Sequence, residues 1–260
     1  MRETTYNHNS VQFIELGNWH EFVKVIDEVF ADKYGYVFRG QSSHHWEIEP
    51  TLDRKLKLFT EEFSNITTYD FVKEMLLNDF KSNSRGMKAS HSFAKDDLYW
   101  WELGQHHGLL TPLLDWSRSP FVAAFFAMSG AEIDGEHPCV WAIHKNSVKS
   151  KTENINPSEL DIHFHDPISS SNQRLLRQQG LFSISKPLLN IPEWVEENFK
   201  DDDCITLYKF IIKNTDRAQA LQFLNKMNIN AFTLFPDLDG SAKHANEMVD
   251  MRLLQKIMQK

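Results

Sequence analysis

The chain has 260 residues and a mass of 30.4 kDa, enough to bury a sizeable core without disulfide bridges. Its hydrophobic share of 41% and charged share of 25% exclude collagen-like and wholly disordered chains. The formal net charge of -8 argues against a protein held on nucleic acid by a basic surface. Cys139 and Cys204 have no paired spacing, which indicates reduced thiols and neither a disulfide framework nor a thiolate zinc site.

The sequence also argues against a membrane partner. Its longest unbroken apolar run, from Phe121 to Met128, is far shorter than the ~20 residues that a membrane-spanning helix needs. The first residues lack the hydrophobic core of a signal peptide. We therefore expect a cytoplasmic protein.

Hydrophobic periodicity and capping residues predict the secondary structure. In chain order we expect a helix over 19–30, a strand over 36–38, helices over 59–80 and 97–108, a strand at 113–114, a helix over 120–129, strands over 139–143 and 205–212, a helix over 218–227, a strand over 231–234 and a last helix capped by Asp239. Strands scattered among helices without a regular βαβ alternation predict an α+β fold. The expected architecture is a single domain whose mixed or mostly antiparallel sheet is flanked by helices, with an inserted helical lobe as an option.

Several specific motifs are absent. Gly130 and Gly135 have the spacing of a phosphate-binding loop, but Glu136 and His137 replace the lysine and hydroxyl residues that such a loop requires. Nucleophile-elbow and kinase signatures are also missing, so those enzyme classes are excluded.

The 12 histidines raise the question of a metal site. The adjacent pairs His44-His45 and His106-His107 would point in different directions on a helix or a strand, and His163 and His165 would share a face only on a strand. No carboxylate or cysteine at a suitable spacing completes a ligand set, so we predict no metal.

Polar and aromatic residues are concentrated in four short clusters. They are Phe38-Arg39-Gly40-Gln41; Gln105-His106-His107-Gly108 with 111–117; the stretch 174–182; and Phe235-Pro236-Asp237-Leu238-Asp239-Gly240. On these motifs the chain resembles the FRG domain family, which is named for its Phe/Tyr-Arg-Gly motif. The resemblance implies an FRG domain over 19–245, preceded by a lead over 1–18 and followed by the remainder of the C-terminal helix over 246–260.

A more remote resemblance is to ADP-ribosyltransferase-like NAD-binding folds. It implies that Arg39 grips a phosphate through its planar guanidinium, while the strand that carries Asp115, Trp116 and Ser117 supports the nicotinamide end. Gln179 would stand near the position of the catalytic glutamate of those folds. Because a neutral amide stabilises a developing cation less than a carboxylate does, Asp115 would have to supply the negative charge.

These resemblances lead to a set of candidate site residues. The catalytic candidates are Arg39, Asp115 and Gln179, and the ligand-binding candidates are Phe38, Gly40, Gln41, Gln105, His106, Trp116, Ser117 and Arg177. The expected ligand is a small nucleotide-like molecule, with NAD as substrate or ligand and no resident cofactor. We predict that Arg39, Gln105, Asp115 and Gln179 surround one cavity, because each is expected at the end of a helix or strand.

Two alternatives stay open at this point. Arg39 and Asp115 could form a buried ion pair that only organises the fold. The whole protein could be a non-catalytic sensor or a protein-interaction module in a bacterial stress or phage-defence system, so the sequence leaves open whether it is an enzyme.

Overall fold

A computed structural model of the chain describes residues 6–8, 10–58, 66–85, 87, 96–132, 135–152, 161–166, 173–200 and 204–258. The strands in these ranges are β1 (Tyr6–His8), β2 (Val11–Leu16), β3 (Tyr36–Gln41), β4 (Leu113–Ser117), β5 (Cys139–His144), β6 (Ile162–His165), β7 (Gly180–Ser185) and β8 (Leu207–Ile212). The helices are α1 (Trp19–Phe30), α2 (Thr51–Lys57), α3 (Ile66–Asn83), α4 (Asp97–His106), α5 (Pro120–Ser129), α6 (Lys145–Thr152), α7 (Gln173–Arg177), α8 (Ile191–Asn198), α9 (Arg217–Lys226), α10 (Ala231–Leu234) and α11 (Leu238–Met258).

The strands form one mixed sheet in the order β1-β2-β8-β5-β3-β4-β7-β6. All the pairings between neighbours are antiparallel except that of β2 with β8, which is parallel. Segment 1–18, which the sequence analysis set apart as a lead, contributes β1 and β2 to this sheet. The predicted α+β class and the mixed, mostly antiparallel sheet are confirmed.

Helices cover both faces of the sheet. Phe38, Ala142 and Phe210 belong to a core that includes buried residues of α1, α5 and α9. On the opposite face, Val37 and Trp141 belong to a core that includes buried residues of α6 and α8. The sheet is therefore buried on both sides, as a sheet between two helical layers should be.

Local sequence signals explain the two helices next to the site. The Asp96 side chain accepts the Tyr99 N–H at 3.0 Å and starts α4, while Gly108, with φ of +85°, follows its C-terminus in the left-handed region. Ser119 accepts the Val122 N–H at 3.3 Å and precedes Pro120, the first residue of α5. Both helices begin where the sequence predicts.

Two local predictions near the C-terminus are wrong. Residues 231–234 were expected as a strand, but Asn230 accepts the Thr233 N–H at 3.0 Å and the Thr233 hydroxyl accepts the Asn230 N–H at 3.2 Å. This reciprocal capping box turns the segment into helix α10. The cap of α11 is Asp237 and not Asp239, because Asp237 Oδ1 accepts the Gly240 N–H at 2.8 Å.

Three helices, α2 to α4, lie between β3 and β4 in the chain, which agrees with the inserted helical segment. The predicted helix over 59–80 is α3, although residues 59–65 lie outside the described ranges. Helix α2 was not predicted. Within the described ranges, no helix has both the length and the apolar composition needed to cross a bilayer.

Candidate functional site

The site begins with a gap in the centre of the sheet. β3 and β4 are paired at a single position, Phe38 opposite Ser117. Beyond Phe38, β3 continues its ladder with β5 through Gln41, while β4 pairs with β7 along its whole length. The two strands therefore separate and leave a cleft between Arg39 and Asp115, which a regular antiparallel ladder would have closed.

This cleft is the mouth of a cavity of about 410 Å³. That volume falls within the range of roughly 300–1,000 Å³ that is usual for small-molecule sites. Its lining comes from β3, β4, β7, α4, α5, α7 and the residues next to them: Phe38, Arg39, Gly40, Glu102, Gln105, His106, Gly108, Asp115, Trp116, Ser117, Ala123, Phe126, Arg174, Leu175, Gln178 and Phe182.

Arg39 spans the gap between the strands. Its Nη1 donates to the backbone carbonyl of Asp115 at 2.8 Å. Its Nε is completely buried and has no hydrogen-bond partner in the described part of the chain. Burial lowers the pKa of Arg39, and the negative charge of Asp115 opposes that shift. The guanidinium thus offers unused N–H groups in a cavity, where a buried donor without an acceptor is costly.

The ion pair that the sequence left open is not formed. Among the described residues, no carboxylate lies within 4.0 Å of the Arg39 guanidinium. Asp115 is exposed, although its neighbours Leu114 and Trp116 are buried. Because the Arg39 side chain contacts the Asp115 main chain, the Asp115 carboxylate is free to face solvent in the cavity.

A second arginine stands beside the cavity. The Arg174 guanidinium lies over the ring of Phe235, 4.3 Å from its centroid, and Lys243 Nζ lies 4.6 Å from the same centroid. Burial lowers the pKa of Arg174, while Asp237, Asp115 and Asp239 oppose the shift. Cation–π contacts of this kind hold a cation in a defined position without neutralising it. The cavity therefore carries two arginines.

Helix α4 presents three polar residues to the cavity: Glu102, Gln105 and His106. Their spacing of three and four residues places them on one face of the helix. The Gln105 amide oxygen accepts a short hydrogen bond from the Thr111 hydroxyl, which orients the amide. Burial lowers the pKa of His106, and the nearby His107 and Arg174 lower it further, so its imidazole is neutral at pH 7.

Most of the predicted site residues line this one cavity. They are Phe38, Arg39, Gly40, Gln105, His106, Asp115, Trp116 and Ser117. The proximity prediction is thus confirmed for Arg39, Gln105 and Asp115. Phe38 and Trp116 are 4% and 3% exposed, so they line the cavity wall and also belong to the buried core, as expected. The roles of these residues in binding or catalysis stay predictions.

Gln41 does not line the cavity, and its side chain is already committed to the core. Its Oε1 accepts the Trp141 indole N–H at 2.6 Å, and its Nε2 donates to the Glu47 carbonyl at 2.8 Å. Residue 41 lies on the same face of β3 as Arg39, so its contacts with Trp141 and Glu47, and not the alternation of the strand, keep its side chain out of the cavity. The predicted position of Gln41 at the ligand site is therefore wrong.

Arg177 and Gln179 are also outside the cavity. Arg177 is exposed and donates to the Thr233 carbonyl at 3.3 Å. Gln179 is exposed in a turn with φ of +49°, and its carbonyl accepts the Arg118 N–H at 3.0 Å. Their neighbours Arg174 and Gln178 line the cavity instead. The predicted cavity position of Gln179 is wrong because the turn before β7 directs residue 178 inward and residue 179 outward.

Gly40 has a packing role that follows from its lack of a side chain. A Cβ at this position would lie 1.9 Å from the Ala123 carbonyl oxygen of α5. Helix α5 can therefore sit against β3 only if residue 40 is glycine. The Ser117 hydroxyl also has a structural role, because it donates a hydrogen bond to the Gln178 carbonyl at 2.8 Å.

Sequence reasoning missed Glu102, Arg174, Gln178 and Phe182 as cavity residues. Glu102 could have been found, since it lies on the same face of α4 as Gln105, three residues earlier. It is 4% exposed, and its Oε1 lies 3.7 Å from His165 Nε2. The other three belong to the third cluster, where only the orientations of α7 and the following turn distinguish them from Arg177 and Gln179.

Comparison with known families agrees with the first two clusters. The FRG domain model matches residues 34–135, a range that includes Arg39, Gln105 and Asp115. The third and fourth clusters lie beyond this range, but the fold joins them to it through the contacts of Gln178 and Arg174. No curated protein and no solved structure matches the chain significantly. The cavity is thus built largely from the segment that matches the FRG domain model.

Proposed function

We propose that the FRG domain of this protein binds a nucleotide-like ligand in the cavity, with a phosphate group on Arg39. The observation that carries this proposal is the Arg39 guanidinium, which stays beside a cavity with an unpaired, buried Nε and no carboxylate partner among the described residues. A phosphate accepts two parallel N–H bonds from a guanidinium, so it would satisfy these donors.

The rest of the cavity suits the other parts of such a ligand. Arg174 adds a second positive charge for a diphosphate, and the rings of Phe126 and Phe182 provide apolar walls for a base. The amides of Gln105 and Gln178 supply polar anchors. This combination of apolar walls with a few polar groups is typical of small-molecule sites.

The enzymatic form of the proposal is cleavage of the bond between ribose and nicotinamide in NAD. Nicotinamide would leave with the bonding electrons, and a water molecule would add to the ribosyl cation and release a proton. Asp115 and Glu102 are the carboxylates in the cavity that could stabilise this cation. This reaction rests on Asp115 and Glu102 and not on Gln179.

Binding is tested by calorimetric titration with NAD, ADP-ribose, AMP and adenosine. We expect the three phosphorylated compounds to bind and adenosine to bind far more weakly. Arg39→Ala and Arg174→Ala should weaken binding by at least about tenfold, in line with the loss of a charge-assisted hydrogen bond. Arg177→Ala is the matched control, because Arg177 is exposed and lies outside the cavity; its affinity should equal that of the wild type.

Two outcomes would overturn the binding proposal: no binding of any phosphorylated compound at millimolar concentration, or full affinity in Arg39→Ala. Release of nicotinamide from bound NAD, measured by chromatography, tests the reaction separately. If Asp115→Asn abolishes the release of nicotinamide but keeps the affinity for NAD, the result supports an enzymatic function. Bound NAD that stays intact would favour the alternative of a non-catalytic sensor.

A further inference from the structure

A second group of chemically reactive side chains lies outside the cavity, in the turn after β3. The donor atoms of His44, His45 and Glu136 all lie within 4.8 Å of one another. The two imidazole rings have centroids 3.9 Å apart, and His45 Nε2 lies 3.4 Å from Glu136 Oε2. None of the three residues lines the cavity.

The rings of His44 and His45 do not diverge as the sequence predicts, because the histidine pair is in a turn. Adjacent side chains diverge on a helix or a strand, but the Trp46 N–H donates to the Ser43 carbonyl at 3.3 Å and closes a turn around His44 and His45. This turn brings both rings to one side. Glu136, which is remote in sequence, completes the group because it immediately precedes the segment that leads into β5.

Backbone contacts hold the donors in place. His44 N–H donates to the His137 carbonyl at 2.8 Å, and His44 Nδ1 lies 3.1 Å from the same oxygen. A carbonyl can only accept, so Nδ1 carries the proton and leaves the lone pair on Nε2. Metal-binding histidines typically donate their other ring N–H in this way, which orients the ring and increases its basicity.

We propose that His44, His45 and Glu136 form a binding site for a divalent transition metal ion such as Zn²⁺. Two imidazoles and one carboxylate are a donor set that zinc accepts, whereas Mg²⁺ and Ca²⁺ require mainly oxygen ligands. The side chains of His45 and Glu136 are 66% and 60% exposed, so an ion can enter from solvent and water can complete its coordination.

The test uses the full chain without an affinity tag, so that no added histidines compete. Co²⁺ serves as a spectroscopic probe of the coordination geometry through its visible absorption, and calorimetry measures the affinity and stoichiometry for Zn²⁺. We expect one equivalent to bind. His44→Ala, His45→Ala and Glu136→Gln should each weaken binding by about tenfold or more.

The matched controls are His20→Ala and Glu132→Gln, which remove an exposed imidazole and an exposed carboxylate outside the group. Both should bind Zn²⁺ like the wild type. Thermal melting of the metal-free variants checks that the fold is intact, and Zn²⁺ should raise the melting temperature of the wild type but not that of the double variant His44→Ala/His45→Ala.

Two results would overturn this proposal. One is the absence of Zn²⁺ and Co²⁺ binding to the wild type at 1:1 stoichiometry in the micromolar to millimolar range. The other is unchanged binding in the double variant, which would show that the ion binds elsewhere. Neither result bears on the nucleotide proposal, because the two sites share no residue.

Discussion

The guanidinium of Arg39 is hydrogen-bonded to the main-chain carbonyl of Asp115, 2.8 Å away, and not to the Asp115 carboxylate. The arginine therefore bridges the gap between β3 and β4, where main-chain pairing stops after Phe38 and Ser117. One side chain thus joins the two strands while several of its N–H groups stay available to a ligand. We therefore expect substitutions of Arg39 and of Asp115 to have unequal effects on the free energy of unfolding.

Arg39→Ala should lower the free energy of unfolding by on the order of 1–3 kcal/mol, because it removes one charge-assisted hydrogen bond to a carbonyl. Asp115→Asn should change it by less than about 0.5 kcal/mol, since the carbonyl remains and no described residue forms an ion pair with the exposed carboxylate within 4.0 Å. Urea denaturation of the two variants measures both values. Equal losses of 3–5 kcal/mol would instead indicate the buried ion pair.

Gly40→Ala should destabilise the fold by at least about 3 kcal/mol, because the new Cβ would clash with the Ala123 main-chain oxygen and displace α5 from the sheet. Gly17→Ala is the control. Its Cβ would meet only the flexible carboxylate of Glu21, at 3.1 Å, so we expect a change within about 1 kcal/mol. Denaturant melts of both variants provide the comparison, and a Gly40→Ala protein as stable as the wild type would contradict this packing.

Gln41→Ala should reduce stability without weakening ligand binding. The change leaves the Trp141 indole N–H and the Glu47 carbonyl without their partner, at a cost of about 2–4 kcal/mol. Thermal melting measures the loss of stability, and titration of the folded protein with the nucleotide that binds best measures the affinity. Lost affinity with unchanged melting would restore Gln41 to the binding site and contradict its placement in the core.

Acidification should destabilise the protein through His165. Burial lowers the pKa of His165 from 6.5 to about 4, and the ring stacks on Phe182 with a centroid distance of 5.5 Å. Because the unfolded state then binds a proton more readily than the folded state, stability falls as the pH decreases from 6.5 towards 4. The contribution reaches up to about 3 kcal/mol.

The variant His165→Phe isolates this effect, since it keeps a ring against Phe182 but cannot titrate. Its free energy of unfolding should fall less steeply than that of the wild type between pH 6.5 and 4. An imidazole that titrates above pH 6.5 by NMR would contradict the prediction. It would show that the attraction of Glu102, 3.7 Å away, outweighs burial.

The two cysteines should differ in their reaction with a thiol reagent. Cys139 is fully buried in β5, and burial raises the pKa of its thiol to about 12. Cys204 is exposed. Mass spectrometry after brief iodoacetamide treatment should therefore find Cys204 modified and Cys139 unmodified in the native protein, with both modified in denaturant. Rapid native modification of Cys139 would indicate that β5 opens.

The helices and strands whose signals are local could be predicted from the amino-acid sequence alone. Asp96, Ser119 and Gly108 mark helix ends through their own side chains or backbone, so α4 and α5 were predicted with nearly correct boundaries. The α+β class followed from the same patterns. Arg39 and Asp115 line one cavity, as expected, but the expected reason was wrong: both lie inside strands β3 and β4 and not at strand ends, and they meet where the two strands separate.

Which side chains of each motif face the cavity depends on tertiary contacts that the motifs themselves do not encode. Gln178 and Gln179 are adjacent amides, and a left-handed turn at Gln179 sends one inward and the other to solvent. Gln41 shares a face of β3 with Arg39, but hydrogen bonds with the Trp141 indole and the Glu47 carbonyl hold its side chain in the core. The group of His44, His45 and Glu136 depends on a turn and on contacts between residues about 90 positions apart, which local periodicity does not encode.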